Sequence, residues 1–250
     1  MTEQEGSDEA SAESQLLEII GRWRARRARL IERGSGPVSI SSEVTVLFHV
    51  IPALAFVRRP ITESWQIPEQ KKGQIYVPHT ATRQQYNFDG FIRIAWLDNP
   101  GTAFGYTQIF RSGIIEYANS NCYSPVNVDG VKMILGQTTE QELVRCYENA
   151  LVRLSETSET LPIYLGCSLI GIAGKQIHST FRQLYFQNAL IPPRQSIVSS
   201  PEFSIRADLE EDPPYPRTLL PLVNHMWQAF GYDRTSFMTN GEWNPFGSYR

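Results

Sequence analysis

Cysteine is scarce in this chain. Only Cys122, Cys146 and Cys167 occur among 250 residues, odd in number and widely spaced. That excludes a disulfide framework and a Cys-rich zinc site, and it fits reduced thiols inside a cell. Lysine is rarer than arginine by 4 to 19. Codon bias in a GC-rich genome explains such a ratio, so only local arginine clusters are informative. No apolar run approaches the roughly 20 residues that cross a bilayer. The opening MTEQEGSDEASAES has neither the basic start nor the apolar core of a secretory signal, so cytoplasm is the default and no membrane partner is expected. A net charge of −3 argues against chain-wide binding to nucleic acid. What remains is a globular composition, 41% hydrophobic and 20% charged, in a chain long enough to bury a core without metal staples.

Residues 1–13 carry five acids and no base, which predicts a disordered acidic tail. From 14 to about 33, Leu16, Ile19, Ile20, Trp23, Leu30 and Ile31 recur at helical spacing, and Gly34-Ser-Gly-Pro37 stops the helix. Residues 44–51 are apolar on both alternating faces, as in a central strand covered on both sides. Residues 58–73 read as a loop, with a short strand at 74–77. A meander follows. Phe91–Leu97 is a strand, Asp98-Asn-Pro-Gly101 a turn, and Phe104–Phe110 a second strand. Arg111-Ser-Gly113 is a hairpin loop with Gly113 left-handed, and Ile114–Ala118 returns. That register sets Gln108 opposite Glu116, on the face of Tyr106 and Phe110.

Residues 119–136 look irregular. Thr139 and Glu142 have the spacing of a capping box opening a helix to about 155, whose Leu143, Cys146, Tyr147, Ala150, Leu151 and Leu154 form an inner stripe. Leu161–Ala173 predicts one or two buried strands, and 195–207 another. Residues 208–216 form an acidic, proline-rich loop. A last helix covers about 217–230, with Leu219, Leu222, Val223, Met226 and Phe230 inward and Gly231 as its stop. Residues 233–250 read as a loosely packed tail. The expected architecture is a single α+β domain over 14–232. A mainly antiparallel sheet carries an N-terminal, a middle and a C-terminal helix.

Chemistry is thinly signalled. Gly166–Gln176 invites a phosphate-loop reading, but position 169 is Leu169 where glycine is needed, and Gln176 stands where Ser or Thr should follow Lys175. The histidines His49, His79, His178 and His225 show no helical zinc spacing. His49 lies in the most apolar strand, where a buried structural histidine is the common outcome, and His225 is expected on an exposed helix face. Asp89, Asp98 and Glu116 are the carboxylates a metal nuclease could gather, but turns account for the first two and a solvated face for Glu116. No metal or cofactor is expected, and no catalytic residue is assigned. The face with His49, Tyr106, Gln108, Phe110 and Glu116 mixes aromatic and polar groups, as ligand pockets and partner surfaces do.

The strongest charge feature is RWRARRAR at 22–29, with Arg33 beyond. On a helix Arg22, Arg26, Arg29 and Arg33 fall within about 60° of arc, a stripe that could meet phosphates. A solvated face explains it more simply. Arg27 lands amid the apolar residues, where it needs a carboxylate partner or a route to solvent.

The strings RARRARLIERGSGPV (24–38), LFHVIPALAF (47–56), YNFDGF (86–91) and YTQIFRSGIIEYANS (106–120) together resemble a bacterial region, over about residues 20–230. It is the C-terminal region that follows a Schlafen AlbA-like domain in proteins described as ATP-binding or transcriptional regulators. The resemblance implies an accessory, sensing or assembly module in a regulatory or defence system, binding a protein partner or a small ligand. Nucleic-acid binding in that family belongs to the AlbA-like domain, which is not expected within these residues. A nucleic-acid-contacting module using the arginine helix is the second reading. A hydrolase or nuclease built from scattered carboxylates and His49 is the third.

Overall fold

Every pairing in the main sheet is antiparallel, and its two central strands are buried along their whole length. The computed structural model describes residues 3–40, 43–56, 67, 69–78, 82–96, 101–120, 123–128, 131–156, 162–178, 193–205, 215–235, 237–239, 242–243 and 245. In chain order the elements are α1 (Glu3–Glu32), β1 (Thr45–Pro52), α2 (Glu69–Lys72), β2 (Thr82–Asn87), β3 (Gly90–Trp96), β4 (Ala103–Phe110), β5 (Ile115–Asn119), β6 (Tyr123–Val128) and β7 (Val131–Leu135). There follow α3 (Gly136–Glu156), β8 (Ile163–Ile170), β9 (Gln176–His178), β10 (Ile197–Ser199), β11 (Phe203–Ile205), α4 (Tyr215–Gln228), β12 (Met238–Thr239) and β13 (Glu242–Trp243).

The main sheet runs β10-β8-β1-β5-β4-β3-β2, with β11 also on β8. A smaller sheet, β6-β7-β9, contains a parallel pair, β7 with β9. This is the expected α+β class, with helices at the start, middle and end of the chain. Alternation along β1 explains its double burial. Val46, Phe48 and Val50 join the core that α3 and α4 cover, through Leu143, Tyr147, Leu222 and Trp227. Leu47 and Ile51 point the other way and pack with Ala28, Ile31 and Ile20 of α1. The sheet is the middle of three layers.

The β4–β5 hairpin forms as its residues dictate. Gly113 takes φ 88°, its N–H bonds to the Phe110 carbonyl, and Gln108 pairs with Glu116. Gly34, at φ 68°, follows α1, with the Ser35 N–H returned to the Leu30 carbonyl. The strands expected at 44–51, 91–97, 104–110 and 114–118 are β1, β3, β4 and β5. The acidic proline-rich loop falls almost wholly in 206–214, outside the described residues, as do positions 97–100 of the Asp98–Gly101 turn.

Five expectations need correction. The helix starts at Glu3, not at about 14, so its backbone takes in the acidic stretch. Its acids sit toward the positive N-terminal end of the helix dipole, where negative charge is favourable. Residues 74–77 are not a strand; the strand is β2. The irregular stretch 119–136 holds β6 and β7. The capping box does not form, because α3 already begins at Gly136. Thr139 Oγ1 instead donates to the Leu135 carbonyl four residues back, and Glu142 is taken up by Tyr76, Asn119 and Arg145. Among the described residues beyond 233, Thr235, Phe237 and Trp243 are buried rather than loosely packed. They supply apolar cover that α4 alone does not give, with Phe237 edge-on to Trp227 at 6.0 Å between ring centres.

Phe237→Ala should therefore destabilise the protein by about 3–5 kcal/mol in denaturant unfolding, the cost of truncating a buried aromatic ring. A loss under about 0.5 kcal/mol would restore the loose-tail expectation.

Candidate functional site

One face of the sheet gathers most of the residues singled out by sequence. The register aligns Gly166, His49, Glu116 and Gln108 in a row across β8, β1, β5 and β4. Tyr106 stands two residues from Gln108 on the same face, and Phe110 two residues the other way. The structure covers this face instead of leaving it open to solvent. His49, Tyr106 and Glu116 are fully buried, Gln108 nearly so, and Phe110 is half-buried. The cover is α1, which meets the face with Ile20, Trp23, Arg24, Arg27 and Ala28. Trp23 stands edge-on to His49, Phe56 and Phe110.

Glu116 is the centre. Arg27 Nε donates to Oε2 at 2.8 Å and Arg27 Nη2 to Oε1 at 2.6 Å, a bidentate pair. His49 Nε2 lies 2.9 Å from Oε2, and Tyr106 Oη donates to Oε1 at 2.7 Å. Two bonds on each oxygen use the four acceptor sites of a carboxylate. Burial alone would raise the Glu116 carboxyl, but the bonds from Arg27 and His49 outweigh it and hold it at about 2. Burial lowers His49 despite the pull of Glu116, so the neutral imidazole donates its Nε2–H as a hydrogen bond to the carboxylate. Its Nδ1 has no hydrogen-bond partner among the described residues. Arg27 is raised: burial works against its charge, and the bonds to Glu116 prevail. The guanidinium also lies 5.2 Å from the Phe110 ring centre.

A second arginine enters beside it. Arg24 is 1% exposed and donates to the Ser200 carbonyl at 3.0 Å, the Cys167 carbonyl at 2.9 Å and Glu202 Oε1 at 2.7 Å. Burial lowers its pKa, and Glu202 opposes that shift. The guanidinium rests on Gly166, where a Cβ would come within 2.1 Å of its Cζ. Only glycine leaves room for it. Sequence reading missed Arg24 and Glu202. Arg24 was legible, because it follows Ile20 by four and precedes Ala28 by four, on the apolar stripe. Glu202 comes from a distant segment and carries no comparable signal.

The other candidates separate. Arg22, Arg26, Arg29 and Arg33 are exposed on the outer face of α1, as the spacing requires. Gln108 faces Glu116 in register but bonds Asn87 and the Phe91 carbonyl, closing the β2–β3 hairpin. Asp89 is exposed in that hairpin's turn, away from the buried Glu116. Among the described residues no cluster of His, Cys, Asp or Glu could hold a metal. Lys175 pairs with Glu43 at 2.8 Å in a turn after β8. His225 is half-buried rather than exposed, and His79 lies outside the described residues. No described helix is long and apolar enough to cross a membrane.

A carboxylate with all its acceptor sites used is a fastener. Arg27→Ala would strand Glu116 in the interior and should cost about 3–5 kcal/mol, against under about 0.5 for Arg26→Ala on the outer face. Equal effects in chemical denaturation would refute the difference. Glu116 also sets an acid limit. Its folded pKa is below the ordinary 4.5, so its contribution is present above about 4.5 and lost as pH falls toward 2. Stability should drop by roughly 3 kcal/mol over that window, and Glu116→Gln should lack this component.

Comparison with models of protein families, with curated proteins and with solved structures finds no match for this chain.

Proposed function

We propose that the chain is a non-enzymatic accessory module of a bacterial regulatory or defence system, and that it engages a protein partner through the outer face of α1. One observation carries this reading. Arg24 and Arg27 fix α1 to the sheet through buried charge-assisted bonds, which turns Arg22, Arg26, Arg29 and Arg33 outward on a rod of set orientation. Of these four, only Arg22 has an ion-pair partner among the described residues, Glu18 at 3.7 Å and exposed. Planar guanidinium groups of this kind suit bidentate capture of carboxylates on an acidic protein surface. The resemblance to the region after a Schlafen AlbA-like domain supports the accessory role and names a first partner to try.

The same stripe supports nucleic-acid contact as a second reading. The net charge of −3 and the acids at the start of α1 oppose it, since both repel phosphates at long range. A chain held in the cytoplasm fits either reading.

The test pairs the intact chain with a purified Schlafen AlbA-like domain from the same genome, and separately with a mixed-sequence DNA duplex. Co-elution with the domain should be lost when all four stripe arginines become glutamine. The melting temperature should hardly move, because exposed substitutions cost little. DNA binding should be weak or absent. Tight DNA binding with a log–log salt slope of about −3 to −4, abolished by the same four changes, would put the nucleic-acid reading first. Unchanged co-elution of the four-glutamine variant would remove the stripe from the proposal.

A further inference from the structure

The main sheet ends at β2, and the outer side of that strand has the form of a pairing template. Among the described residues β3 is the one strand paired with β2, in unbroken register from Thr82↔Ala95 to Asn87↔Gly90. The direction of the outer backbone groups follows from the neighbouring ladder. The Phe110 N–H bonds the Ile114 carbonyl at 2.8 Å, so even-numbered residues of β4 direct their backbone toward β5 and odd-numbered ones toward β3. Carried across Ile109↔Phe91 and Ile92↔Gln85, the alternation points Arg83, Gln85 and Asn87 at β3. Thr82, Gln84 and Tyr86 therefore direct N–H and C=O away from the sheet.

The strand has none of the usual guards of an edge. It contains no proline, no lysine and no bulge, and Arg83 is its one charge. Arg83, Gln84, Gln85 and Tyr86 are all exposed, two on each face, so the helical layers stop short of β2 and leave room beside it. Its end is fixed in place. Asn87 Oδ1 accepts from the Gly90 N–H at 2.9 Å, and Asn87 Nδ2 donates to Gln108 Oε1 at 2.8 Å. An edge held in this way needs little ordering before it pairs.

We propose that β2 is a homodimer edge: two copies of the chain pair β2 against β2, antiparallel about a two-fold axis at Gln84, and join their sheets into one. Of the registers such an axis allows, the one centred on Gln84 lets all three outward residues bond. Gln84 pairs with its own mate, and the Thr82 backbone pairs with the Tyr86 backbone on either side. The Gln84 amides then lie side by side, and Arg83 stands opposite Gln85 of the second copy, so no like charges are directly opposed. A strand from another protein would have to supply these matches, whereas a second copy carries them already. The two-fold pairing also closes on itself and leaves no β2 edge open.

The intact chain is followed by sedimentation equilibrium from about 1 to about 200 μM, because a contact of one strand pair is small and its affinity micromolar. The expected result is a reversible monomer–dimer equilibrium. Gln84→Pro removes an outward N–H that the fold itself does not use, so the melting temperature should hardly move. Two bonds are lost per dimer, and dimerisation should weaken by about tenfold or more. Under mild oxidation Gln84→Cys should give a covalent dimer, with the unaltered chain as the control for its own thiols. Mates across a hydrogen-bonded pair lie about 5.5 Å apart between Cα atoms, within disulfide reach. Gln85→Cys should not cross-link, its mate being about 8 Å away. A chain that is monomeric throughout overturns the proposal and leaves the edge to a strand of another protein. A dimer indifferent to Gln84→Pro overturns it too, because the contact then lies elsewhere. So does a dimer cross-linked at least as well through Gln85→Cys as through Gln84→Cys, because the register is then different. If Gln84→Pro does not fold, sedimentation of the unaltered chain and the two cysteine variants still decide.

Discussion

The bond between Arg27 and Glu116 is the constraint around which the rest of the molecule is arranged. Glu116 stands on β5, near the middle of a sheet that is covered on both faces. A carboxylate there has no solvent, and its desolvation would be prohibitive without partners that fill every acceptor site. Tyr106 and His49, its neighbours on β4 and β1, supply two bonds, but neither supplies charge. The charge comes from α1, more than eighty residues earlier in the chain. The helix must therefore lie across β8, β1 and β5 at a height and rotation that bring Arg27 over Glu116. Once it does, Arg24 falls over Gly166, the one position in that row with no side chain to obstruct it.

The two buried glutamates show how little burial alone decides. Both are essentially inaccessible, and burial is the largest influence on each. Glu116 has a guanidinium in bidentate contact and sits at about 2, whereas Glu140 has two indoles and a hydroxyl and sits at about 7. The difference lies in the charge of the partners, not in their number. Glu116 accepts four bonds and Glu140 three. One is fixed as an anion across the physiological range, so α1 stays fastened. The other has only neutral donors, one from α4 and two from the segment that follows it.

Much of the sheet was legible because its signals are local. The β4–β5 hairpin follows from Gly113 and from alternation on either side, and the same logic set Gln108 opposite Glu116. The need of Arg27 for a carboxylate was legible from helical spacing alone. The identity of that carboxylate was not. Nothing near Glu116 in the sequence shows that its face is covered, because the cover is α1, and a strand with one polar residue reads equally well as half-solvated. The tail beyond 233 failed for a related reason. Its residues are polar and aromatic without periodicity, and their burial depends on Glu140 and α4, not on their own pattern. Thr139 and Glu142 have the spacing of a cap, but the chain is already helical at Gly136. The hydroxyl then turns back to Leu135, and the carboxylate is drawn to Tyr76 and Asn119.

The same fastening gives the exposed face its meaning. A surface helix held only by apolar contacts can roll by a residue's width at small cost, because hydrophobic burial is non-directional. Bidentate and carbonyl-directed bonds from Arg27 and Arg24 do not permit that. A roll of one residue, about 100°, would bring Arg26 or Arg29 inward and expose Arg27. Glu116 would then be left without its cation. The two inward arginines therefore fix which four face outward. The rigid, sharply one-sided stripe of Arg22, Arg26, Arg29 and Arg33 is a consequence of the buried network, and a partner that reads the stripe reads the docked state of the helix.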